Sequence, residues 1–206
     1  MAYQMANGRW ADTDPVSLFA SAARTATANG AAVELGDCSQ ARLDLKVTAA
    51  SGTTPTLDVK VQTSPDGSTW ADVGTAFTQA TGATTEHKVV SGLDRFVRGV
   101  ATIASVASSV TKSGTGPNVT LTGTPTLTAS CVIKVILGGA VATATFQYST
   151  DGGTTWSETK TTAATYAIPG TGLTAAFAAG TYVADDTYSF TTVLPSFTFS
   201  LEGEAV

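Results

Sequence analysis

Apolar and polar side chains alternate along three stretches of this chain. Residues 42–47, 57–62 and 197–202 each place aliphatic or aromatic side chains at every second position, with charged or other polar side chains between them. Because side chains two residues apart lie on the same face of a β-strand, each stretch predicts a strand with one buried face. Turn-forming residues occupy 51–55 between the first two stretches. We therefore expect these two strands to pair with each other.

The alanine-rich segment 17–28 is the one place where a helix competes with a strand. Its threonines and the Asn29-Gly30 dipeptide that follows favour extended chain that turns into residues 31–35. Elsewhere, short strands are separated by Gly, Pro, Asn and Asp at intervals of roughly 8–12 residues, which is typical of antiparallel β-sandwiches. The sequence therefore predicts an all-β fold of the immunoglobulin-like or jelly-roll-like kind.

A short segment of the chain occurs twice. Residues 61–70 are VQTSPDGSTW and residues 146–156 are FQYSTDGGTTW. Each copy predicts a hairpin in which the aspartate accepts local backbone hydrogen bonds, a glycine takes positive φ, and the tryptophan packs back across the turn. The predicted turn residues are Asp66, Gly67, Trp70, Asp151, Gly153 and Trp156. The repeat indicates two related units in one chain.

The second copy, Ser149-x-Asp151-x-Gly153-x-Thr155-Trp156, resembles the Asp-box of sialidases and related propellers. In those enzymes the Asp-box is a structural turn away from the catalytic centre, and the catalytic centre needs an arginine cluster. Every arginine of this chain lies before residue 109. We therefore interpret the turn as structural and do not expect a glycosidase. The alternative is a turn that presents polar groups to a sugar or to a neighbouring subunit.

The charge balance excludes several classes of protein. Eleven Lys and Arg residues stand against sixteen Asp and Glu residues, and only 13% of the chain is charged. Without a basic block, neither nucleic acid nor an anionic membrane is an expected partner. The apolar stretch 131–144 contains Lys134 and is too short to cross about 30 Å of hydrocarbon. Residues 1–10 lack the pattern of a secretory signal peptide.

The residue types that carry catalysis are few. His87 is the only histidine, and it lies in a polar stretch without a flanking nucleophile. Asp185-Asp186 is the only paired carboxylate; we interpret it as a loop or strand edge, with a cation site as the alternative. Cys38 and Cys131 fit neither a disulfide framework nor a zinc site and are predicted to be buried thiols. The sequence predicts no enzyme, no metal and no cofactor.

Charges are unevenly distributed along the chain. Residues 109–194 contain seven charged side chains, whereas all five arginines precede residue 109. We expect an N-terminal arm at 1–17, a first β-sandwich at 18–108 plus 195–206, and a second sandwich at 109–194 inserted before the last strand of the first. Residues 111–117, rich in Gly, Ser and Thr, predict a linker. The alternative assigns the strand at 196–204 to the second unit.

Four stretches carry a resemblance to a known group of proteins: RLDLKVTAASG at 42–52, LDVKVQTSPDGSTW at 57–70, RFVR at 95–98 and FTFSLEGEA at 197–205. They resemble small β-sandwich proteins encoded among the structural genes of tailed bacteriophages, in which an RFVRG strand is followed almost directly by a PSFTFS strand. The inserted stretch resembles immunoglobulin-like modules appended to phage head, tail and baseplate proteins. The resemblance implies a virion structural protein and carries over no catalytic or binding residues.

The expected function is that of a head decoration (cement or minor capsid) protein, made in the host bacterial cytoplasm. Its expected partners on the outer capsid surface are the major capsid protein and copies of itself. The predicted partner contacts are Trp10, Phe19, Arg24, Arg42, Arg95 and Arg98. One alternative is a neck, tail or fibre component. Another is an adhesion module with weak affinity for host-surface glycans, which would stack sugars on Tyr148, Trp156, Tyr166, Tyr182 and Tyr188.

Overall fold

A computed structural model of the chain describes residues 3–6, 9–12, 15–36 and 38–206, with side chains from residue 16 onward. In this part of the chain every regular element is a β-strand, and every pair of strands is antiparallel. The prediction of an all-β chain is confirmed. None of these residues belongs to a helix long and apolar enough to cross a membrane.

The chain divides into two compact units. Unit 1 comprises Met1–Ser51, Pro55–Ala104 and Pro195–Val206, and unit 2 comprises Gly52–Thr54 and Ser105–Leu194. Each unit has its own hydrophobic core.

Unit 1 contains eleven of the strands, which are β1 (Tyr3–Ala6), β2 (Arg9–Asp12), β3 (Pro15–Arg24), β4 (Ala28–Asn29), β5 (Val33–Glu34), β6 (Gln40–Ser51), β7 (Thr56–Ser64), β8 (Ala71–Val73), β9 (Thr84–Ser91), β10 (Phe96–Ala104) and β21 (Ser196–Ala205). One sheet has the order β3-β21-β6-β9. A second has the order β4-β10-β7-β8, with β5 also paired to β10. Strands β1 and β2 pair with each other. The strand prediction for 17–28 is confirmed for residues 17–24 and 28, while residues 25–27 connect β3 to β4. Strand β3 begins within the predicted arm 1–17.

The two strands expected to pair with each other lie in different sheets. Strand β6 pairs with β21 and β9, whereas β7 pairs with β10 and β8. The expectation was wrong because both strands bury alternate aliphatic side chains. Leu43 and Leu45 of β6 and Leu57 of β7 are fully buried in one core, to which both sheets contribute. Period-two alternation identifies the buried face of a strand but does not determine which strands pair with it.

The last strand of the chain belongs to the four-stranded sheet of unit 1. Strand β21 lies between β3 and β6, and its Phe197, Phe199 and Leu201 are fully buried. Gly203 of β21 approaches β6 closely, since a β-carbon at this position would lie 1.8 Å from the carbonyl oxygen of Arg42. Only glycine permits this approach.

Unit 2 contains the other ten strands, which are β11 (Thr111–Ser113), β12 (Val119–Gly123), β13 (Ala129–Leu137), β14 (Gly139–Ala140), β15 (Thr145–Ser149), β16 (Lys160–Thr161), β17 (Thr165–Ile168), β18 (Leu173–Phe177), β19 (Thr181–Tyr182) and β20 (Thr187–Thr192). The larger sheet has the order β11-β20-β13-β15-β16, and a smaller one has the order β12-β18-β17. Strands β14 and β19 form a separate pair. The linker prediction for 111–117 is wrong at its start, because β11 pairs with β20.

The core of unit 2 is rich in aromatic rings. Phe146 packs against Phe177 with ring centroids 5.0 Å apart, and Tyr182 and Tyr188 are fully buried beside them. The tyrosine rings of this pair are 6.4 Å apart in an edge-on arrangement. Among the described side chains of both units, no buried nitrogen or oxygen lacks a hydrogen-bond partner.

Candidate functional site

The first repeated turn is closed by one carboxylate. Asp66 Oδ1 accepts hydrogen bonds from the backbone N–H groups of Ser68 and Thr69, both at 2.8 Å. The Ser64 hydroxyl donates to the same carboxylate at 2.9 Å and accepts the N–H of Gly67 at 2.9 Å. Gly67 has φ of +73°. These bonds hold the returning chain at a fixed angle to β7.

The second turn repeats this chemistry with one more residue. Asp151 Oδ1 accepts the N–H groups of Thr154 and Thr155 at 2.9 Å each, and the Thr155 hydroxyl donates to Oδ2 at 2.6 Å. Ser149 donates to the carboxylate at 2.7 Å and accepts the N–H of Gly153 at 2.8 Å. Gly153 has φ of +96°, a conformation that glycine adopts without steric cost.

Both aspartates are held in the ionised form. The Thr69 N–H is the main reason that the pKa of Asp66 lies far below its ordinary value. The hydroxyl and N–H of Thr155 have the same effect on the pKa of Asp151. The turns occupy both carboxylate oxygens of Asp151 and chiefly Oδ1 of Asp66, which favours a structural role for both side chains.

The two tryptophans after the turns have different surroundings. Trp156 is 39% exposed, and its Cζ2 atom lies against Gly153, 3.4 Å from where a β-carbon would be. Trp70 instead lies under the guanidinium of Arg98, whose central carbon is 4.2 Å from the ring centroid. Arg98 also donates to the Gln62 side chain at 2.7 and 3.0 Å. The indole of Trp156 is therefore more exposed to solvent than that of Trp70, which is partly buried.

Arg24, one of the predicted partner contacts, forms its hydrogen bonds within its own sheet. Its guanidinium donates to the carbonyl oxygens of Ala20 at 2.8 Å and of Ala22 at 3.1 Å. It also donates to the carbonyl of Phe199 at 3.2 Å, where the pairing of β3 with β21 shifts register. Arg24 thus fills acceptors that a β-bulge would otherwise leave unpaired.

Two of the three remaining arginine candidates, Arg95 and Arg42, form surface ion pairs, whereas Arg98 bonds the uncharged Gln62. Arg95 lies 2.6 Å from Glu34, and both side chains are at least half exposed. Arg42 lies 3.7 Å from Glu204 and 3.9 Å from Asp44. Such exposed pairs contribute little to stability and leave guanidinium groups within reach of a partner.

The two aromatic residues among the predicted partner contacts are Phe19 and Trp10. Phe19 is 3% exposed and packs in the core of unit 1, with its ring 5.2 Å from that of Phe199. Phe19 therefore faces its own core and is not available as a surface contact. Trp10 belongs to β2, and its side chain lies outside the described residues.

The aromatic residues considered for glycan stacking are divided between core and surface. Tyr182 and Tyr188 are buried, and their hydroxyls donate to backbone carbonyl oxygens at 3.0 and 2.6 Å. Burial raises the pKa of Tyr182 and, with a nearby carboxylate, raises the pKa of Tyr188 to about 12. Tyr148 and Tyr166 are partly exposed, with ring centroids 6.0 Å apart. Two of the five stacking candidates are thus interior residues.

The paired carboxylates point to different partners. Asp185 is exposed and lies 2.9 Å from the ammonium of Lys134. Asp186 is buried and accepts the N–H groups of Gly116 at 2.7 Å and Thr115 at 3.2 Å. Among the described residues there is no group of three or more His, Cys, Asp or Glu side chains that could hold a metal ion.

The other reactive groups are divided between the two units. His87 Nδ1 contacts Asp44 Oδ1 on the exposed face of the β6–β9 pair. Cys131 is buried in unit 2, and burial raises the pKa of its thiol. Cys38 is partly buried in unit 1. The histidine and Cys38 thus belong to unit 1, and Cys131 and the paired carboxylates belong to unit 2.

A cleft of about 570 Å³ in unit 2 was not anticipated from the sequence. It is lined by all five residues of β12 and by Val110, Lys112, Leu173 and Tyr188 among others. We call it the β12 cleft. The alternation of Val119 and Leu121 with threonines predicts a strand, but the same pattern is found in central and edge strands. No sequence signal could therefore locate an open space beside it.

No protein-family model matches the chain, and no curated protein sequence matches it.

Proposed function

We propose that the chain is a non-enzymatic structural protein of a tailed-bacteriophage virion, and that it decorates the outside of the head. The proposal rests first on the resemblance of residues 42–52, 57–70, 95–98 and 197–205 to phage β-sandwich proteins. The structural observation that supports the proposal is that three candidate carboxylates form hydrogen bonds within their own turns and loops. Asp66, Asp151 and Asp186 accept bonds from their own turns and loops, and this supports a scaffold over an active centre.

The proposed architecture is two antiparallel β-sandwiches, with the second inserted before the last strand of the first. The pairing of β21 with both β3 and β6 supports this arrangement. So does the closeness of the two ends of unit 2, where the Ser105 hydroxyl lies 3.4 Å from the carbonyl oxygen of Val193. Insertions at surface hairpins are tolerated when their ends lie together.

The proposed roles of the units follow from their charges. Unit 1 carries the ion-paired arginines Arg42 and Arg95 on its surface, and we assign it the contact with the major capsid protein. Unit 2 has few charges, and we assign it the outward, solvent-facing position. Low charge removes long-range repulsion between the many copies that a capsid lattice would hold close together.

The test is to add the full chain to empty heads of a tailed phage that encodes it and to locate it by cryo-electron microscopy. We expect density for unit 1 on the outer face of the capsid lattice at regular positions. A chain with Arg42→Ala and Arg95→Ala should bind less, whereas Lys134→Ala in unit 2 should bind equally. Density confined to the neck or tail would replace head decoration with the alternative structural role.

Glycan adhesion remains a second candidate because of one observation, the exposed indole of Trp156 next to its turn. A glycan array with the full chain and with Trp156→Ala would measure this directly. Binding of a defined glycan that is lost in the variant would favour adhesion. A wild-type chain without binding would eliminate it.

A further inference from the structure

One edge of strand β12 has backbone groups that point away from its sheet. The N–H of Ala178 donates to the carbonyl of Asn118 at 3.2 Å, so Asn118 faces β18. Because successive residues of a strand point their backbone groups to opposite sides, Thr120 and Thr122 also face β18. The N–H and C=O groups of Val119, Leu121 and Gly123 then point the other way. We call these groups the open edge of β12; within the described chain, β12 pairs with β18 alone.

The open edge borders space instead of another strand. The β12 cleft runs along the whole of Val119–Gly123. On its other side lie Val110 and Tyr188, and Leu173 lines it from β18. Lys112 is its one charged lining residue, and the Lys112 ammonium is bonded to the carbonyl of Gly116 at 2.7 Å. The cleft therefore offers an extended chain both backbone partners and apolar contacts.

Edge strands in unit 1 carry devices that discourage pairing with another chain. Strand β9 carries consecutive charged or titratable side chains at Glu86, His87 and Lys88. Strand β3 begins with Pro15 and has a register shift in its pairing with β21. Charges, proline and β-bulges are the usual protection of an exposed edge. Strand β12, with the sequence VTLTG, has none of them.

We propose that β12 pairs with β12 of a second copy, antiparallel about a two-fold axis that passes beside Leu121. In this register Leu121 lies opposite its own copy, and Val119 lies opposite Gly123 of the other chain. Every backbone group of the open edge then gains a partner, and the β17-β18-β12 sheet continues through both copies. Isologous contacts of this kind are the commonest way in which identical chains pair.

The chemistry of the strand favours a second copy as the occupant. In the proposed register the outward side chains Thr120 and Thr122 lie opposite each other across the axis, so two uncharged hydroxyl pairs form. Strand β12 has no charged side chain with which a partner of opposite charge could pair. Unit 2 as a whole has three lysines against four acidic residues, so copies repel each other weakly. The inference does not depend on the capsid assignment.

The experiment uses charges placed at the exposed positions of β12 in the full chain. With Thr120→Lys and Thr122→Lys together, two lysines face two lysines across the axis, and like charges directly opposite each other destabilise a pair. With Thr120→Lys and Thr122→Glu, each lysine faces a glutamate. Sedimentation equilibrium measures the dimer dissociation constant, and circular dichroism checks that each variant is folded.

We expect the wild-type chain to dimerise, the Lys/Lys variant to dimerise at least about tenfold more weakly, and the Lys/Glu variant to recover most of the loss. The matched control is Thr165→Lys with Ala167→Lys, which places the same charges on exposed positions of β17 at the other edge of the sheet. It should dimerise like the wild type. A monomeric wild-type chain at high micromolar concentration, or equal weakening in the Lys/Lys and Lys/Glu variants, would overturn the proposal.

Discussion

Units 1 and 2 satisfy their polar groups with different chemistry. On the outer face of unit 1, charged side chains form a row across neighbouring strands. Lys60 donates to Asp72 at 2.7 Å, Asp72 accepts from Gln62 at 2.8 Å, and Gln62 accepts from Arg98 at 2.7 Å. In unit 2, hydroxyl groups donate to backbone carbonyl oxygens inside the fold. Three examples are Tyr188 to Pro117 at 2.6 Å, Thr192 to Leu127 at 2.8 Å and Thr162 to Ala144 at 3.0 Å.

This difference explains how unit 2 folds with so few charges. Its buried hydroxyls supply the directional contacts that ion pairs supply on the surface of unit 1, and each of them finds a backbone carbonyl oxygen as its own acceptor. A neutral surface is therefore compatible with a polar, well-ordered interior. Unit 1 should respond to salt, and unit 2 should respond to the ionisation of its tyrosines.

The largest expected effects come from emptying each core separately. Phe199→Ala in unit 1 and Phe146→Ala in unit 2 each remove a fully buried ring, and each should cost about 3–5 kcal/mol of unfolding free energy. Because the two cores are distinct, hydrogen–deuterium exchange should accelerate in the substituted unit and change little in the other. Equal acceleration in both units after either substitution would show that they unfold as one.

The next largest expected effect is a loss of stability of unit 2, before unit 1, at alkaline pH. The pKa of Tyr188 is raised to about 12 in the folded chain, above the ordinary value near 10, so its contribution to stability is complete below about pH 10 and is lost as the pH rises through 12. Among the side chains described, from residue 16 onward, the core of unit 1 contains no tyrosine. Exchange measured from pH 9 upward, corrected for intrinsic rates, should show unit 2 opening first.

The variant Tyr188→Phe tests the cause of that response. It removes the hydroxyl and leaves the Pro117 carbonyl without its donor, which should cost about 1–2 kcal/mol at neutral pH. The alkaline loss should become shallower, with Tyr182 and Tyr148, whose pKa values burial also raises, accounting for what remains. Unchanged stability of unit 2 between pH 10 and 12 in the wild type would contradict the assignment.

Some of this difference is visible in the sequence and some is not. The Asp-Gly pairs at 66–67 and 151–152 predict turns because their hydrogen bonds join residues two to four apart. The contacts of Arg98 and Arg95 join residues 36 and 61 positions apart, and no local pattern encodes them. For the same reason the alternation within β6, β7 and β12 predicts strands but not which of them pair or which edge stays open.

Acid should weaken both units through their repeated turns. The pKa values of Asp66 and Asp151 are depressed in the folded chain, so their stabilising effect is present above about pH 4 and is lost as the pH falls below it. Asp66→Asn should lower the melting temperature of unit 1 by a few degrees at pH 7, and Asp151→Asn should do so in unit 2. Each variant should also flatten the acid response of its own unit. A response that stays as steep in both variants would assign it to other carboxylates.

The smallest expected effect concerns a single surface ion pair of unit 1. Glu34→Gln removes the partner of Arg95, and because both side chains are at least half exposed it should cost less than about 1 kcal/mol. In 1 M NaCl, where the Debye length falls to about 3 Å, the difference between variant and wild type should become smaller. The matched change in unit 2 is Asp185→Asn, which removes the partner of Lys134. Denaturant titrations at low and high salt measure both. If Asp185→Asn cost more than Glu34→Gln, ion pairs would stabilise the sparsely charged unit at least as much as unit 1, and the contrast between charged and hydroxyl contacts would fail.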